Sequence, residues 1–126
     1  KQEGARRFEI LGGKAAVSLS TASPVDISRE TNGDVLLLVT LKVTKAPRTA
    51  MLEMRNGTSV TGMAQVSLPA NGKFVRYGLP LRCLRDKGVN VSNVAAPFML
   101  ETDGAADYQI GEVRLGTDAE QKLPCK

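Results

Sequence analysis

At 126 residues, with 42% apolar side chains, the chain is long enough to bury a core of its own and too hydrophobic to stay disordered. Its formal charge of +4 comes from Lys and Arg scattered among acids, and only Arg6 and Arg7 are adjacent. No basic stripe carries interleaved aromatics, so nucleic acid is not an expected partner. The longest apolar run, Val35 to Val39, is the length of a strand, and no membrane span is expected. The chain opens on Lys1 with neither an initiator Met nor a signal-peptide pattern, and the expectation is a processed or excised piece of something longer.

Turn dipeptides punctuate the chain at Gly12-Gly13, Asn32-Gly33, Asn56-Gly57, Asn71-Gly72 and Asp103-Gly104. Such pairs supply positive φ at low steric cost. Between them, Lys14 to Ser20 alternates, with Val17 and Leu19 inward and Ser18 and Ser20 outward. Asp26 to Asp34 reads as a turn crowded with acids and amides. In Val35 to Val43, the residues Val35, Leu37, Val39, Leu41 and Val43 share one face. The other face runs Leu36, Leu38, Thr40, Lys42, so this strand is expected to be covered on both sides at its start and on one side at its end. Thr49 to Met54 sets Leu52 and Met54 inward and Glu53 outward. Val60 to Leu68 alternates again, and Lys73 to Leu79 places Val75, Tyr77 and Leu79 on one face before Pro80 ends the ladder at an edge or a bend.

Arg82-Cys83-Leu84-Arg85-Asp86-Lys87-Gly88 predicts a short helix over 82–88, closed by a left-handed Gly88. Leu84, Val89 and Val91 form its apolar underside and cover the open end of a sandwich. In the last strands, Tyr108 and Ile110 share one parity while Val113 and Leu115 share the other. A bulge at Gly111-Glu112 would return all of them to the core. The spacing is too short for βαβ units and predicts an all-β sandwich of about eight strands.

Histidine is absent, which rules out Ser-His-Asp and Cys-His sites within this chain. A carboxylate pair could still do acid–base work, but no two acids are placed by the pattern in an apolar cleft, and the carboxylates read as solvated. Asp26, Glu30, Asn32 and Asp34 crowd one loop with oxygen ligands that suit calcium. Their spacing departs from an EF-hand, Arg29 adds a competing charge, and turn formation explains the cluster equally well. No metal or other cofactor is therefore expected, with calcium as the one alternative. Tryptophan is absent and aromatics are 4%, little for a sugar-stacking platform. Arg29, Glu30, Asn32 and Asp34 are the candidate carbohydrate or interdomain contacts, since a guanidinium, carboxylates and an amide can together serve vicinal hydroxyls. The competing reading has Arg29 pair with Asp26 or Glu30 and fix the corner between two strands. The sequons Asn56-Gly57-Thr58 and Asn90-Val91-Ser92 both fall in predicted turns. Cys83 and Cys125 match no zinc spacing; they are either a disulfide tying the tail to the short helix in an oxidising compartment or two separate thiols.

The stretch "LPLRCLRDKGVNVSNVAAPFMLETDG" followed by "YQIGEVRL", with "PVDISRETNGDVLLLVTLKVTKAP" before it, resembles the C-terminal accessory domain of proteobacterial glycoside hydrolase family 3 exo-β-glucosidases and exo-1,3/1,4-β-glucanases. The resemblance runs in register from about Arg6 to Leu115. It implies a galactose-binding-like β-sandwich, a jelly roll, appended after two catalytic domains. It also implies a periplasmic or secreted enzyme that releases glucose from β-glucans or cello-oligosaccharides. The family's catalytic carboxylates belong to the other domains, so none is assigned here. Cys83 falls on the family's "LxCF" cysteine, with Leu84 in place of Phe, and a terminal cysteine such as Cys125 is also familiar; the bonded pair is therefore the expectation. Two departures stand out. Phe74-Val75-Arg76-Tyr77 occupies a neighbourhood that often holds Trp, and Arg55-Asn56-Gly57-Thr58-Ser59 replaces an often Cys- and Gly-rich loop.

The resulting expectation is that residues 1–126 are one accessory β-sandwich domain, the C-terminal part of a longer enzyme. Such a domain is non-catalytic, and its partners are the catalytic domains or a second subunit. A module that binds β-glucan or cello-oligosaccharide on its own, or a free-standing interaction domain, is the alternative.

Overall fold

The computed structural model describes residues 4–19, 23–56 and 59–125, and at residues 59–61 the backbone alone. Ser20, expected to face outward, and Gly57-Thr58 of a predicted turn and sequon lie outside the described residues. The elements are β1 (Arg6–Ile10), β2 (Lys14–Leu19), α1 (Ser28–Asn32), β3 (Leu36–Lys45), β4 (Thr49–Asn56), β5 (Ser59–Val66), β6 (Phe74–Pro80), α2 (Leu81–Asp86), β7 (Ala96–Asp103), β8 (Ala106–Gly116) and β9 (Gln121–Lys122). They form two facing sheets, a five-stranded one ordered β1-β8-β3-β6-β9 and a four-stranded one ordered β2-β7-β4-β5. All pairings are antiparallel except β6 with β9. This is the all-β sandwich that the strand spacing predicted and the resemblance implied.

The core is the set of inward positions the alternation singled out. Leu37, Val39, Leu41 and Val43 on β3 meet Leu52 and Met54 on β4 and Phe98 and Leu100 on β7 across the interior. On β8 the register against β3 steps from Val39↔Val113 to Leu41↔Ile110, so the bulge sits where the parity switches. Tyr108 and Ile110 are buried, and Val113 and Leu115 pack against the same core from a half-buried position. Two tight crossings between the sheets share one end. Gly13, at φ 76°, lets β1 turn into β2, and Gly104, at φ 97°, lets β7 turn into β8. The Gly104 N–H donates to the Gly13 carbonyl at 2.9 Å, which ties the two crossings together.

The opposite end is plugged. α2 begins where Pro80 ends β6 and closes as a Schellman motif: Val89 N–H donates to the Leu84 carbonyl at 3.2 Å and Gly88 N–H to the Arg85 carbonyl at 3.0 Å. Gly88 has φ 117°. Leu84 and Val89, the apolar pair such a motif brings together, are both buried. They fit because β5 has Gly62 beneath them; a Cβ there would lie 2.4 Å from Val89 Cγ2 and 2.7 Å from the Leu84 carbonyl oxygen.

Three elements go beyond the sequence expectation. β1 is a full strand paired with β8, the segment read as an acid-rich turn contains α1, and β9 adds a two-residue strand beside β6. None has a repeating apolar pattern long enough to register. Leu19 does face inward, opposite Phe98, but it is 50% exposed because the sandwich gapes at its edge.

The outward face of β3 is as buried as its inward face at the start: Leu36 is 5% and Leu38 1% exposed. Their cover is the segment between β8 and β9, which crosses over β3 and β6 as a strap. Ala119 lies over Gly78, where an added Cβ would come 2.7 Å from Ala119 Cβ and 2.9 Å from Leu36 Cδ1. Asp118 accepts from Arg114 Nη2 at 2.8 Å, and Arg76 Nε donates to the Asp118 carbonyl at 2.6 Å. The Arg76 N–H donates to Glu120 at 2.8 Å. Beyond β9 the tail is fastened by a disulfide between Cys83 in α2 and Cys125, with Cα atoms 5.5 Å apart.

Replacing both cysteines with serine reopens a loop spanning 42 positions, for which chain entropy predicts a loss of up to about 4 kcal/mol. Gly78→Ala should cost about 1–3 kcal/mol, the usual range for overpacking. Urea titration followed by far-UV circular dichroism reads both, and unchanged midpoints would show that the strap carries no stability.

Candidate functional site

The corner that holds the candidate contacts is built from hydrogen bonds to the plug. Val25 pairs with Val94 in an isolated bridge, and Ile27 N–H donates to the Val91 carbonyl at 2.7 Å. Asp26 Oδ1 accepts from the Ser28 N–H at 2.9 Å and the Ser28 hydroxyl at 2.6 Å. Those bonds hold the Asp26 carboxyl below the ordinary aspartate range. The Thr31 hydroxyl donates to the Ile27 carbonyl at 2.8 Å and is wholly buried. Asp34 takes a left-handed backbone, φ 63°, which its short side chain tolerates.

Arg82 of α2 gathers this corner. Its Nε donates to the Thr31 carbonyl at 3.1 Å and its Nη2 to the Asn32 carbonyl at 2.7 Å, while Nη1 lies 2.7 Å from Asp34 Oδ1. One planar guanidinium thus serves the last carbonyls of α1 and the carboxylate after it, a geometry that suits arginine. Of the residues singled out from sequence, Asn32 contributes its carbonyl and Asp34 its carboxylate. Glu30 contributes a carbonyl that accepts from Val35 N–H at 3.1 Å. Arg29 is exposed and makes no pair with Asp26 or Glu30; the internal pairing expected of it is made by Arg82 instead. Arg29, Asp26 and Glu30 line a shallow depression of about 270 Å³. Among the described residues no three acids or thiols converge as a metal-holding group.

One carboxylate contradicts the expectation of solvated acids. Glu53 faces outward from β4, yet it is 0% exposed. It lies opposite Met63 on β5 and Met99 on β7, with Glu101 one step diagonal. Arg55 Nη2 donates to its Oε1 at 3.2 Å, and Oε2 has no donor. Burial pushes the Glu53 carboxyl above the ordinary glutamate range; Arg55 opposes this and the neighbouring Glu101 charge adds to it. A proton on Glu53 would satisfy Oε2 by bridging to Glu101. A sealed carboxyl can hold a proton within the domain but offers nothing to a substrate in solution. Two other acids are tied to arginines on the surface: Asp103 to Arg48 at 3.0 Å, and Asp107 to Arg7 at 2.6 Å.

A larger concavity than the one at Arg29 lies elsewhere, at the edge between the sheets. β1 pairs with β8 only from Ala106 to Ile110. Beyond that point β1 and β2 splay apart and leave a cleft of about 470 Å³ lined by Phe8, Val17, Leu19, Phe98, Ile110 and Val113. A smaller hollow of about 230 Å³, lined by Val25, Pro97 and Leu115, shares Leu19 and Val113 with it.

Because the folded state raises the Glu53 pKa, it binds more protons than the unfolded chain between the two values, and stability falls as pH rises through the folded pKa. Glu53→Gln keeps the Arg55 bond and removes that titration. The variant should match the wild type near pH 4 and unfold at higher temperature near pH 8. A wild type that gains stability relative to the variant on going from pH 4 to pH 8, by thermal melts, would reverse the assignment.

Comparison with known proteins agrees with this architecture. The model of the Exop_C family, described as galactose-binding domain-like, matches residues 1–115. Among solved structures the chain is similar to the exo-1,3/1,4-β-glucanase EXOP from a Pseudoalteromonas species, with a TM-score of 0.72 and 22% identity. That alignment covers 100% of this chain and 16% of the glucanase chain. No protein of curated function matches. The two sheets, the plug at one end and the span of the match make the chain a member of the Exop_C family of galactose-binding-like domains.

Proposed function

We propose that this chain is a non-catalytic accessory domain of a longer β-glucan-degrading hydrolase, an exo-β-glucanase or β-glucosidase of the family 3 type. In it the domain follows the catalytic domains and packs on them or on a second subunit, in the periplasm or outside the cell. The observation that carries the reading is that the whole chain superposes on 16% of EXOP, a chain that is an exo-1,3/1,4-β-glucanase.

The disposition of the aromatics supports a structural role over autonomous sugar binding. Tyr77, Tyr108 and Phe98 are core residues. Phe8 packs on Tyr108 with ring centroids 5.6 Å apart. Phe74 alone reaches the outer face of a sheet, and the Lys42 ammonium lies 5.8 Å from its ring centre. Stacking on sugar normally needs a flat, open aromatic face. The polar corner at Arg29 could still make a few weak contacts to hydroxyls.

Calorimetric titration with cellotetraose and laminaritetraose should therefore give dissociation constants no tighter than about millimolar, roughly −4 kcal/mol. The chain alone should leave an aryl-β-glucoside intact. Micromolar binding that disappears in Arg29→Ala, with the circular dichroism unchanged, would make the domain a carbohydrate-binding module instead.

A further inference from the structure

We infer that the cleft between β1, β8 and β2 is the face on which the preceding domain of the same polypeptide seats an apolar element, with a carboxylate beside it for Arg6. This rests on the accessory-domain reading above and names the surface by which that domain would be held.

Four observations converge on the cleft. Its walls are core side chains that the sandwich fails to close over. Leu19, 50% exposed, lines it, and Val25, 37% exposed, lines the adjoining hollow that shares Leu19 and Val113 with it; they are two of the three large hydrophobic residues exposed on the described surface. Filling a cleft of about 470 Å³ with aliphatic or aromatic groups would remove this apolar surface from water, a gain that grows with area. The backbone of β8 beyond Ile110 has no strand beside it on this flank, among the described residues. An entering segment can therefore find hydrogen-bonding groups as well as apolar walls.

The third observation concerns charge. Arg6 lines the cleft and is exposed, and among the described residues it has no ion-pair partner. Its neighbour Arg7 is held by Asp107 on the outer face of the sheet, and Arg114 is held by Glu112 and Asp118. A guanidinium at an apolar rim, with no acid beside it among the described residues, calls for an acid on whatever enters.

The fourth concerns the occupant. Gly4 lines the same cleft, so polypeptide leading into β1 arrives at its mouth. A domain attached there would face the cleft at high effective concentration, and a modest contact would hold it closed. Other parts of the surface are finished differently: the strap covers Leu36 and Gly78 on the outer face of β3 and β6, α1 and α2 plug one end, and the paired glycine crossings close the other.

Hydrogen exchange, read by mass spectrometry, tests this on the present chain and on the full product of its reading frame. In the longer product the amides of 111–115 should exchange at least tenfold more slowly. Leu19→Asp and Val25→Asp, each at an exposed side chain, should abolish that difference while the circular dichroism stays unchanged; Arg6→Glu should reduce it. Equal exchange in the two proteins, or protection confined to the outer face of β4 and β5, overturns the inference while the accessory-domain reading stands. A reading frame with no further domain overturns both. Dimerisation of the present chain at micromolar concentration, lost in Leu19→Asp by sedimentation, would make a second copy the occupant and also overturn it.

Discussion

β3 is apolar on both faces at its start, and a two-layer sandwich can cover only one of them. Much of the architecture follows from meeting that constraint. Leu37 and Val39 face the second sheet, while Leu36 and Leu38 are left toward water. The chain brings a third, partial layer across them after β8. For that layer to lie flat, the surface beneath needs a position without a side chain, and Gly78 supplies it. For the layer to stay, its polar groups need partners, which Arg76 and Arg114 provide. Exposed ion pairs add little energy singly, so the apolar contact and the Cys83–Cys125 bond do most of the fastening. The parallel pairing of β9 with β6 is a by-product: a segment that passes over a sheet and re-enters at its far edge arrives pointing the same way as its neighbour.

The two helices answer a second demand of the same kind. A sandwich has open ends, and the end opposite the paired glycine crossings is filled by Leu81, Leu84 and Val89, the buried side chains of the plug itself. α2 does this from its own sequence, because Gly88 can turn the chain left-handed where the helix must stop. α1 is too short to stand alone and borrows its C-terminal partners from Arg82. Glu53 shows the limit of such covering. Methionines and Arg55 seal its carboxyl without meeting all of its hydrogen-bonding capacity, and the carboxyl responds by favouring the proton.

How much of this could be read in advance depended on whether the cause was local. The switch of parity at Gly111-Glu112 announced the bulge, because four apolar residues cannot all face the core without one. The double-sided pattern of Leu36 to Val39 announced a cover, though not its identity, since the covering residues come from a distant later segment with no apolar run of its own. The helix at Arg82 was legible from its glycine stop. The corner was located correctly but its chemistry was misjudged. Arg29 stands in the cluster by sequence, whereas Arg82 reaches it from the far side of the fold. Glu53 was placed on the outward face, as it is, and its burial comes from neighbours that its own segment's alternation does not show: Arg55 two positions on and Met63 and Met99 on the flanking strands. Leu19 shows the converse: alternation gives the side a residue faces, and burial depends on whether anything stands opposite.

The pairing of β1 with β8 has a consequence for the order of assembly. Arg7 and Asp107 face each other across 100 positions, and the strap that finishes β3 comes later still. The first strand therefore has no place in a sheet until nearly the whole chain is present. Its loop-closure entropy is met only after β3, β6 and β8 have associated. A topology so dominated by distant contacts folds on the slow side for its size, in milliseconds to seconds. During synthesis, β1 must wait as a free edge beside its own unfinished sheet.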